Sequence, residues 1–571
     1  MAGILGLIAG LVSGGLRHPQ MVTLRWALQI LATWYGTLLL CGRLCLSAKF
    51  PFVRRFAALE QDKREKILRS WASSSFLHLR MMYVCLKCVT LRHYFSKVNE
   101  KNENPSWKAI GYCGPDGGSV VAGVLADAGY KVLVLEKGNY FSRSDLSLLE
   151  GPTCTEMYEG GGIIATDNVA VVILAGSTVG GGSAINWSAS IRTPDNVRRE
   201  WCEVHRLPLF GSRVFDKALD VVCRRMGVQS HVEKEGFNNA VLRRGCAAAG
   251  FPISDVPCNA PPEHYCGWCH LGCRDGKKQS SLETWLADMA SSGNGLVLPG
   301  CRASGSRAEA LQFQIKSKVT VVAGGALNTP QLLKRSGLKN KHVGKNLHLH
   351  PTVMAWGYFP ERSYEGGILT SMATVGAAGS AIIQTPALHP GMYSALVPWL
   401  SAADFRQRMR RFARTAHVFA LVRDEGSGTV DYPGSVTHRL TGRDEKRLRE
   451  GLVAAVRVMA AAGAEEVGTQ NVGGEKDEVE EMVKGVRRRR MGDLRTPLCS
   501  AHQMGSCRMG ASPENGAVSP EGEAWEVEGL FVTDGSVIPT AVGVNPMVTV
   551  QAIAYCVAQN VVQHLQGKKT A

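Results

Sequence analysis

The stretch Gly176-Ser177-Thr178-Val179-Gly180-Gly181-Gly182-Ser183-Ala184-Ile185-Asn186-Trp187 places four glycines just before a run of small residues. Glycine adopts positive φ easily and lets the backbone approach a ligand closely, because it has no Cβ. The pattern therefore predicts a loop that lies along a large planar ligand and leads into a helix. A flexible glycine loop without a ligand is the alternative, and it is less favoured because Asn186 and Trp187 follow at once.

A βα pattern lies upstream of this loop. Gly117 and Gly118 precede a small-residue helix expected over 119–128, and an apolar strand expected over 131–135 ends at Glu136. In dinucleotide sites a helix N-terminus holds the pyrophosphate, and an acidic residue about 20 positions later binds the ribose. These three residues match the second half of that pattern. A surface βα turn ending in Glu remains the alternative.

Downstream segments predict the rest of the framework. Buried strands are expected over 318–322 and 529–533, which are short apolar runs. An amphipathic helix is expected over 444–462, and an apolar helix over 547–562, where Pro546 stands at a favourable helix start. The length of 571 residues fits two packed domains with extensions.

Several segments, all in one order, resemble a known family. The stretch 176–187 resembles the first signature of the glucose–methanol–choline (GMC) oxidoreductases, and Gly324-Gly325-Ala326-Leu327-Asn328-Thr329-Pro330-Gln331-Leu332-Leu333 resembles the second. Four more stretches, 104–112, 344–351, 384–392 and 414–417, are similar to the long-chain fatty alcohol oxidases of that family.

The resemblance implies an α/β fold, that of a two-domain flavoprotein. We expect a Rossmann-like FAD-binding domain, a substrate domain built on an antiparallel sheet, and an N-terminal helical, membrane-associated extension. The expected boundaries are 1–105 for the extension, 106–345 for the FAD-binding part, 346–490 for the substrate domain, and 491–571 for a C-terminal part that completes the FAD and catalytic site.

The resemblance also implies roles for individual residues. His502, in Ala501–Gly510, lies where the family carries its active-site histidine, and Asn545 lies where the family has a second catalytic residue. A neutral imidazole is the natural base for a hydroxyl proton, so we expect His502 to be the base and Asn545 to orient the substrate oxygen. The residues expected to bind FAD are Gly117, Gly118, Glu136, Gly176, Ser177, Gly180, Gly181, Gly182, Asn186, Asp534, Gly535 and Pro546.

The implied activity is FAD-dependent oxidation of long-chain primary fatty alcohols to aldehydes, with molecular oxygen as acceptor and hydrogen peroxide as second product. One departure from the family pattern opens an alternative. Relatives have a complete first strand and Gly-x-Gly-x-x-Gly loop, but here Cys113 and Pro115 stand at the first two glycine positions, and the chain is also short over 300–313. Proline removes an N–H from the phosphate cradle. A splice or gene-model variant that no longer binds FAD is therefore one alternative, and a GMC dehydrogenase of sterol or sugar alcohols is another.

Charge and hydropathy predict the partners other than substrate. The 65 Lys and Arg residues against 49 Asp and Glu give a net charge of +16, which suits an anionic membrane surface. The uncharged run Trp26–Gly42 is at the short edge of what a bilayer span needs. We expect contact with membrane lipid, by spanning or at the interface, with a buried hairpin helix as the alternative. No zinc-finger or RNA-binding signature is present, so we expect no nucleic-acid partner.

The cysteines indicate the kind of cellular compartment and raise the question of a metal site. The 17 cysteines are scattered along a long chain, which favours a reducing, intracellular location in an organelle that the pattern does not identify. Cys266, Cys269 and Cys273, with Cys258, His264 and His270 nearby, could ligate zinc or an iron–sulfur cluster. A second CxxC pair at zinc-ribbon spacing is missing. We therefore expect a packed thiol cluster and no metal site.

Overall fold

The structure is a computed structural model that describes residues 28–47, 52–96, 120–162, 164–303, 314–362, 367–376, 379–472 and 478–567. Gly117, Gly118 and the altered loop at Cys113–Asp116 lie outside the described residues, as does most of the segment 300–313. The predictions made for them stay predictions.

Helices form most of the outer layers. The α-helices of the described residues are Trp34–Cys41, Gln61–Ala72, Leu77–Ser96, Val121–Asp127, Glu150–Met157, Gly182–Ile185, Asp195–Glu203, Arg213–Arg225, Phe237–Ala249, Ala287–Ser291, Gly325–Arg335, Pro390–Leu396, Ala402–Arg410, Gly442–Ala461, Val479–Arg488 and Met547–Leu565.

The strands, in chain order, are β1 (Val132–Leu135), β2 (Ile164–Ala165), β3 (Val171–Ile173), β4 (Ile253–Asp255), β5 (Gly295–Leu298), β6 (Thr320–Val322), β7 (Thr352–Tyr358), β8 (Ser371–Val375), β9 (Ala381–Gln384), β10 (Thr415–Leu421), β11 (Gly428–Asp431), β12 (Ser435–His438), β13 (Glu466–Thr469), β14 (Leu498–Ser500) and β15 (Leu530–Val532). The expected helices over 119–128, 444–462 and 547–562 and the expected strands over 131–135, 318–322 and 529–533 all correspond to elements of this structure, within three residues at each end.

The largest sheet has nine strands in the order β2-β3-β14-β7-β10-β9-β8-β4, with β13 also paired to β7. Strands β3 and β14 run parallel, and the other described pairings in this sheet are antiparallel. Every residue of the central strands β7 and β10 is buried. Strands β7 to β10, which lie within 346–490, pair with one another antiparallel; the assignment of that range to a substrate domain stays a prediction.

Two helices cover one face of this sheet. The helix Gly442–Ala461 begins with a capping box, in which the Thr441 hydroxyl and the Asp444 carboxylate each accept an N–H from the other's backbone. Its Val458 carbonyl lies so close to Gly245, on the helix Phe237–Ala249, that a Cβ on Gly245 would stand 2.2 Å from the carbonyl oxygen. The two helices therefore pack at a distance that only glycine permits.

A set of parallel strands forms the second framework. Strands β1 and β5 pair in parallel, and β6 and β15 form a separate parallel pair. Leu133 and Leu135 of β1 are each 40% exposed, although the continuous apolar run predicted a fully buried strand. Both side chains lie on one face of β1, because residues two apart point the same way, and the described residues cover that face only partly.

The N-terminal part forms a small helical layer of its own. The helices Gln61–Ala72 and Leu77–Ser96 are separated by a serine-rich turn. Trp71 is buried at the centre of this layer and its indole N–H donates to the Leu40 carbonyl at 2.8 Å. Within the predicted run Trp26–Gly42, of which residues 28–42 are described, the helix Trp34–Cys41 has eight residues. No helix in the described ranges is both long enough and apolar enough to cross a bilayer.

Candidate functional site

The glycine loop and the His502 segment leave neighbouring strands at the same edge. Strand β3 runs into Gly176, and β14 runs into His502, and these two strands pair in parallel with Leu498 opposite Val171. The pairing continues past the strands, because the Leu174 N–H donates to the Ser500 carbonyl at 2.8 Å. Since the carboxyl ends of parallel strands meet at one edge, the fold brings both predicted parts of the site together.

The loop conformation requires its glycines. Gly180 and Gly181 have φ values of 96° and 55°, a region that other residues adopt only at a cost. A Cβ on Gly176 would lie 2.5 Å from the Gly181 carbonyl carbon, so the loop closes tightly on itself. Cβ atoms on Gly181 and Gly182, in contrast, would meet no atom within 4 Å. The backbone at these two positions faces open space, as a cradle for a planar cofactor requires.

Glu136 ends β1 close to this loop. Its Oε1 accepts the Gly138 N–H at 2.7 Å, and burial raises the pKa of the Glu136 carboxyl. A Cβ on Gly138 would lie 2.3 Å from the Ser177 carbonyl oxygen, which shows how closely the two segments approach. The Val179 N–H also donates to the Asn139 carbonyl at 3.0 Å. Glu136 is therefore held at the entrance of the glycine loop.

Asp534 and Gly535 have different roles in the fold. The Asp534 carboxylate is turned into the protein, where it accepts N–H groups from Gly325 at 2.8 Å and Ser536 at 2.7 Å. It also accepts the Thr329 hydroxyl. This carboxylate therefore joins the start of the helix Gly325–Arg335 to the segment after β15. Gly535 lies beside the catalytic segment, because its carbonyl accepts the Gly505 N–H at 3.0 Å.

The helix Met547–Leu565 begins at the glycine loop. Pro546 is its N-cap, and the Asn186 amide nitrogen lies 2.8 Å from the Met547 sulfur. The start of a long helix carries a partial positive charge of roughly half an elementary charge. Asn186, Pro546 and Asn545 are thus gathered around the end of the loop.

His502 and Asn545, the predicted catalytic pair, lie in contact. The distance between His502 Nε2 and Asn545 Nδ2 is 3.5 Å. The Asn545 oxygen accepts the Gln384 amide at 2.8 Å, which orients the Asn545 side chain. Burial lowers the pKa of His502 to about 4. The imidazole is therefore neutral over the whole physiological range, as a base must be.

His350 is a partner of His502 that the sequence did not reveal as a site residue. The two Nδ1 atoms are 3.2 Å apart, and the Gly543 N–H donates to His350 Nε2 at 2.8 Å. Because His350 Nε2 is an acceptor, a neutral His350 carries its proton on Nδ1 and donates it to His502. His502 then carries its own proton on Nε2, the nitrogen nearest Asn545. The pKa of His350 is well below its usual value, mainly because the ring is buried and secondly because His502 is nearby.

A buried carboxylate supports the His350 segment. Asp424 accepts the backbone N–H groups of Leu349 and His350 at 2.9 and 3.0 Å, and its Oδ2 lies 3.0 Å from His438 Nε2. Burial alone would raise the pKa of Asp424, but hydrogen bonds from His348 and His438 outweigh it and lower the pKa. The only sequence signal for this group was the quoted stretch 344–351, which contains His348 and His350.

The cysteine-rich segment holds the glycine loop from outside. Lys278 is fully buried, and its ammonium donates to the carbonyls of Ala184, Asn186 and Cys269 at 3.2, 2.9 and 3.1 Å. The first two carbonyls belong to the short helix that ends the glycine loop and to the residue after it. The position of this helix therefore depends on the fold of residues 264–278.

The described residues around the glycine loop fit a bound FAD, at the part of its site that would receive the isoalloxazine ring. The open space over Gly181 and Gly182, the adjoining start of the helix Met547–Leu565, and the buried His502 and Asn545 pair surround one region. Ser177 and Glu136 continue this surface toward β1. Gly117 and Gly118, predicted to hold the pyrophosphate, belong to the part of the chain that is not described.

Comparison with known proteins agrees with this arrangement. Two family models, both described as GMC oxidoreductase, match residues 154–352 and 429–554. The chain is 46% identical to the long-chain-alcohol oxidase FAO4A of Arabidopsis thaliana, over 98% of this chain and 94% of that protein. It is 39% identical to the long-chain-alcohol oxidase FAO3 of the same plant, over 95% of this chain and 88% of that one.

Solved structures share the fold at low identity. Pyridoxine 4-oxidase from Mesorbium loti superposes with a TM-score of 0.56 at 18% identity, over 78% of this chain and 97% of that one.

The match to FAO4A spans 683 positions, whereas this chain has 571 residues, so at least 112 positions of that relative have no counterpart here. With two family models that together match more than half of its length, the chain belongs to the GMC oxidoreductase family.

Proposed function

We propose that this chain oxidises long-chain primary alcohols to aldehydes, with molecular oxygen as the final acceptor and hydrogen peroxide as second product. The observation that carries the proposal is the contact between His502 and Asn545 at the end of a glycine loop that is open to a planar cofactor. The substrate class is supported by the names of relatives that match almost the whole chain.

FAD is the cofactor of the family, and when bound it supplies the acceptor for the two electrons of the alcohol C–H bond. The residues that would hold it are those of the loop Gly176–Asn186, together with Glu136, Gly535 and the helix start at Pro546. The Asp534 carboxylate accepts three protein donors, and its predicted role in FAD binding stays a prediction.

His502 presents Nε2 to the substrate oxygen. In the tautomer set by His350, this nitrogen carries a proton and donates a hydrogen bond that holds the alcohol. His502 accepts the hydroxyl proton only in its other neutral tautomer, with Nε2 unprotonated and the proton on Nδ1. Two Nδ1–H groups would then face each other across 3.2 Å, so this tautomer requires the contact with His350 to open. The base role that we propose for His502 includes this rearrangement. Asn545, oriented by Gln384, donates a hydrogen bond to the same substrate oxygen. This bond determines the position of the adjoining carbon, which loses hydride.

Purified full-length chain, saturated with FAD, tests the proposal. A long-chain primary alcohol should be consumed with equal amounts of aldehyde and hydrogen peroxide formed. Preference for sterol or sugar alcohols would overturn the substrate class while leaving the chemistry intact. Consumption of alcohol only with an added dye acceptor would overturn the oxidase assignment.

A second candidate function, a folded relative that no longer retains FAD, has one observation in its favour. Cys113 and Pro115 stand at the first two glycine positions of the family's phosphate loop. Proline has no N–H to donate to a phosphate and fixes φ, which weakens the cradle that holds the pyrophosphate. Folded protein that remains colourless and does not quench the fluorescence of added FAD would establish this second function.

We also propose that the N-terminal helical layer rests on the surface of an intracellular membrane. Three of its exposed side chains are large and aromatic or apolar: Tyr35 is 67% exposed, Leu39 81%, and Phe76 72%. The net charge of +16 adds attraction to anionic lipid. The 17 cysteines are scattered along a long chain, which fits a reducing compartment.

Vesicle sedimentation tests this placement. Replacing Tyr35, Leu39 and Phe76 by serine should release the chain from anionic vesicles, because exposed apolar groups supply the insertion energy. The matched control is Val204→Ser, which removes a 72% exposed apolar side chain from the body of the protein and should leave binding unchanged. Equal sedimentation of the triple variant and the parent chain would refute the proposal.

A further inference from the structure

We propose that His264, Cys266 and Cys269 form a structural site for a thiophilic divalent cation, Zn²⁺ in the first instance. Sequence spacing favoured a packed thiol cluster, because a second CxxC pair was missing. The fold supplies a histidine in place of that pair. The side-chain donor atoms of the three residues all lie within 4.8 Å of one another.

The three donors have the chemistry and spacing that zinc requires. Two thiolates and one imidazole are standard zinc ligands, with metal–ligand distances of about 2.0–2.3 Å, so ligands of one ion stand roughly 3–4 Å apart. The donors here lie within 4.8 Å of one another, so at most small side-chain rotations are needed to close on one ion. His264 is 4% exposed and Cys269 is 2% exposed, and His264 Nε2 is buried without a hydrogen-bond partner.

An unpaired ring nitrogen in a buried site costs free energy unless something binds it. Coordination of a cation by His264 Nε2 removes that cost. Cys266 is only half-buried. Its side of the cluster therefore gives an ion a route from solvent and leaves room for a water molecule as fourth ligand.

The charges of a zinc centre balance here. The buried ammonium of Lys278 donates to the Cys269 carbonyl at 3.1 Å, beside the two thiols. When Zn²⁺ binds, two Zn–S bonds and one Zn–N bond form, and the Cys266 and Cys269 protons are released to solvent. The resulting centre has no net charge, so the ion adds no uncompensated charge to this buried region.

The site has a structural consequence for the glycine loop. The Cys269 carbonyl accepts from the Lys278 ammonium, which also holds the Ala184 and Asn186 carbonyls at the end of the loop. A cation that fixes Cys269 therefore fixes one of the three anchors of Lys278. We infer that the metal stiffens the support of the cofactor loop and takes no part in the oxidation itself.

Metal content of the full-length chain, purified with reductant and zinc in the medium, tests the proposal directly. We expect about one zinc per chain by mass spectrometry of the metal. Cobalt exchanged into the site should give thiolate-to-cobalt charge-transfer bands and the visible bands of a tetrahedral centre. Chain that contains no zinc and shows no such bands when titrated with Co²⁺ would overturn the proposal, and so would an isolated chain with a Cys266–Cys269 disulfide and no metal.

Variants locate the site. Cys269→Ser and His264→Ala should each reduce cobalt occupancy at least tenfold. Cys258→Ser is the matched control: this buried thiol belongs to the same apolar cluster, but it donates to the Val256 and Leu369 carbonyls, which serine can also do. Occupancy should be unchanged in the control, and loss of cobalt equal to that in Cys269→Ser would place the metal elsewhere. Since the cobalt spectrum of the parent chain is read without substrate, this test is independent of the proposed alcohol oxidation.

Discussion

Acidification from pH 7 to 5.5 should destabilise this protein more than an ordinary one, because five of its histidines are buried in the neutral form. Burial lowers the pKa of His502 to about 4 and of His270 and His417 to about 3, and it places those of His350 and His389 well below the usual value. In the unfolded chain the same side chains titrate near pH 6.5.

The sign and size of this destabilisation follow from the protons that the unfolded and folded states bind. Between pH 6.5 and the lowered values, the unfolded state binds protons that the folded state does not, so the free energy of unfolding falls as the pH falls. For one such histidine, the change from pH 7 to 5.5 is about 1.3 kcal/mol. Five together give about 6 kcal/mol, which is comparable with the whole stability of a typical domain, about 5–15 kcal/mol.

Urea unfolding at several pH values between 7 and 5.5, followed by tryptophan fluorescence, measures this dependence. His417→Phe provides the internal check. The His417 ring lies among aromatic rings, with centroids 5.0 Å from Tyr393 and 6.0 Å from Phe412, so phenylalanine fits the surroundings chemically and removes one titrating group. This variant should lose about one fifth less stability than the parent chain over the same range.

The control is His231→Gln, which changes an exposed histidine and should leave the pH dependence as it is. A free energy of unfolding that stays constant from pH 7 to 5.5 would refute the buried-neutral assignment. A slope identical in His417→Phe and the parent chain would refute it for His417.

Three further predictions concern the site itself. His502→Ala should bind FAD like the parent chain but reduce it about 10²–10⁴-fold more slowly with alcohol. Stopped-flow absorbance measures this rate, and reduction at the parent rate would place the base elsewhere. Gly182→Ala should leave the free energy of unfolding of the apoprotein unchanged or raise it by up to about 1 kcal/mol. It should weaken FAD binding at least tenfold in a fluorescence titration, because the new methyl group enters the open space over the loop. Gly485→Ala, at another open helical glycine, is its control, and equal FAD affinity in both variants would mean that the cofactor does not cover Gly182. Because burial keeps His502 neutral, kcat/KM should stay level from pH 7 to about 5.5, measured at pH values where tryptophan fluorescence shows the chain still folded. A fall centred near pH 6.5 in folded chain would contradict the buried base.

Elements with a clear local pattern were predictable from the sequence. The helix Gly442–Ala461 follows from apolar periodicity and a Thr-x-x-Asp start, and the helix Met547–Leu565 follows from Pro546 and the apolar run after it. The glycine loop was also predictable, because positive φ and close approach leave few alternatives to glycine. Each of these signals lies within a short stretch of chain.

Contacts between distant segments were not predictable in this way. His350 and His502 are 152 positions apart and meet only because β14 inserts between β3 and β7. The Asp534 carboxylate accepts the N–H of Gly325, 209 positions away, a contact that no local pattern indicates. In both cases the partner depends on tertiary packing. Locally, His264 joins Cys266 and Cys269 through a turn that residue spacing alone does not define.

Anaerobic reduction of the flavin by its substrate tests the central claim most directly. Full-length chain reconstituted with FAD is mixed with a saturated long-chain primary alcohol, and the visible absorption of the oxidised flavin is followed over time. The structure predicts that the absorption bleaches, that it returns when oxygen is admitted, and that His502→Ala bleaches far more slowly. Flavin that is bound but stays oxidised with every long-chain alcohol would contradict the proposed function.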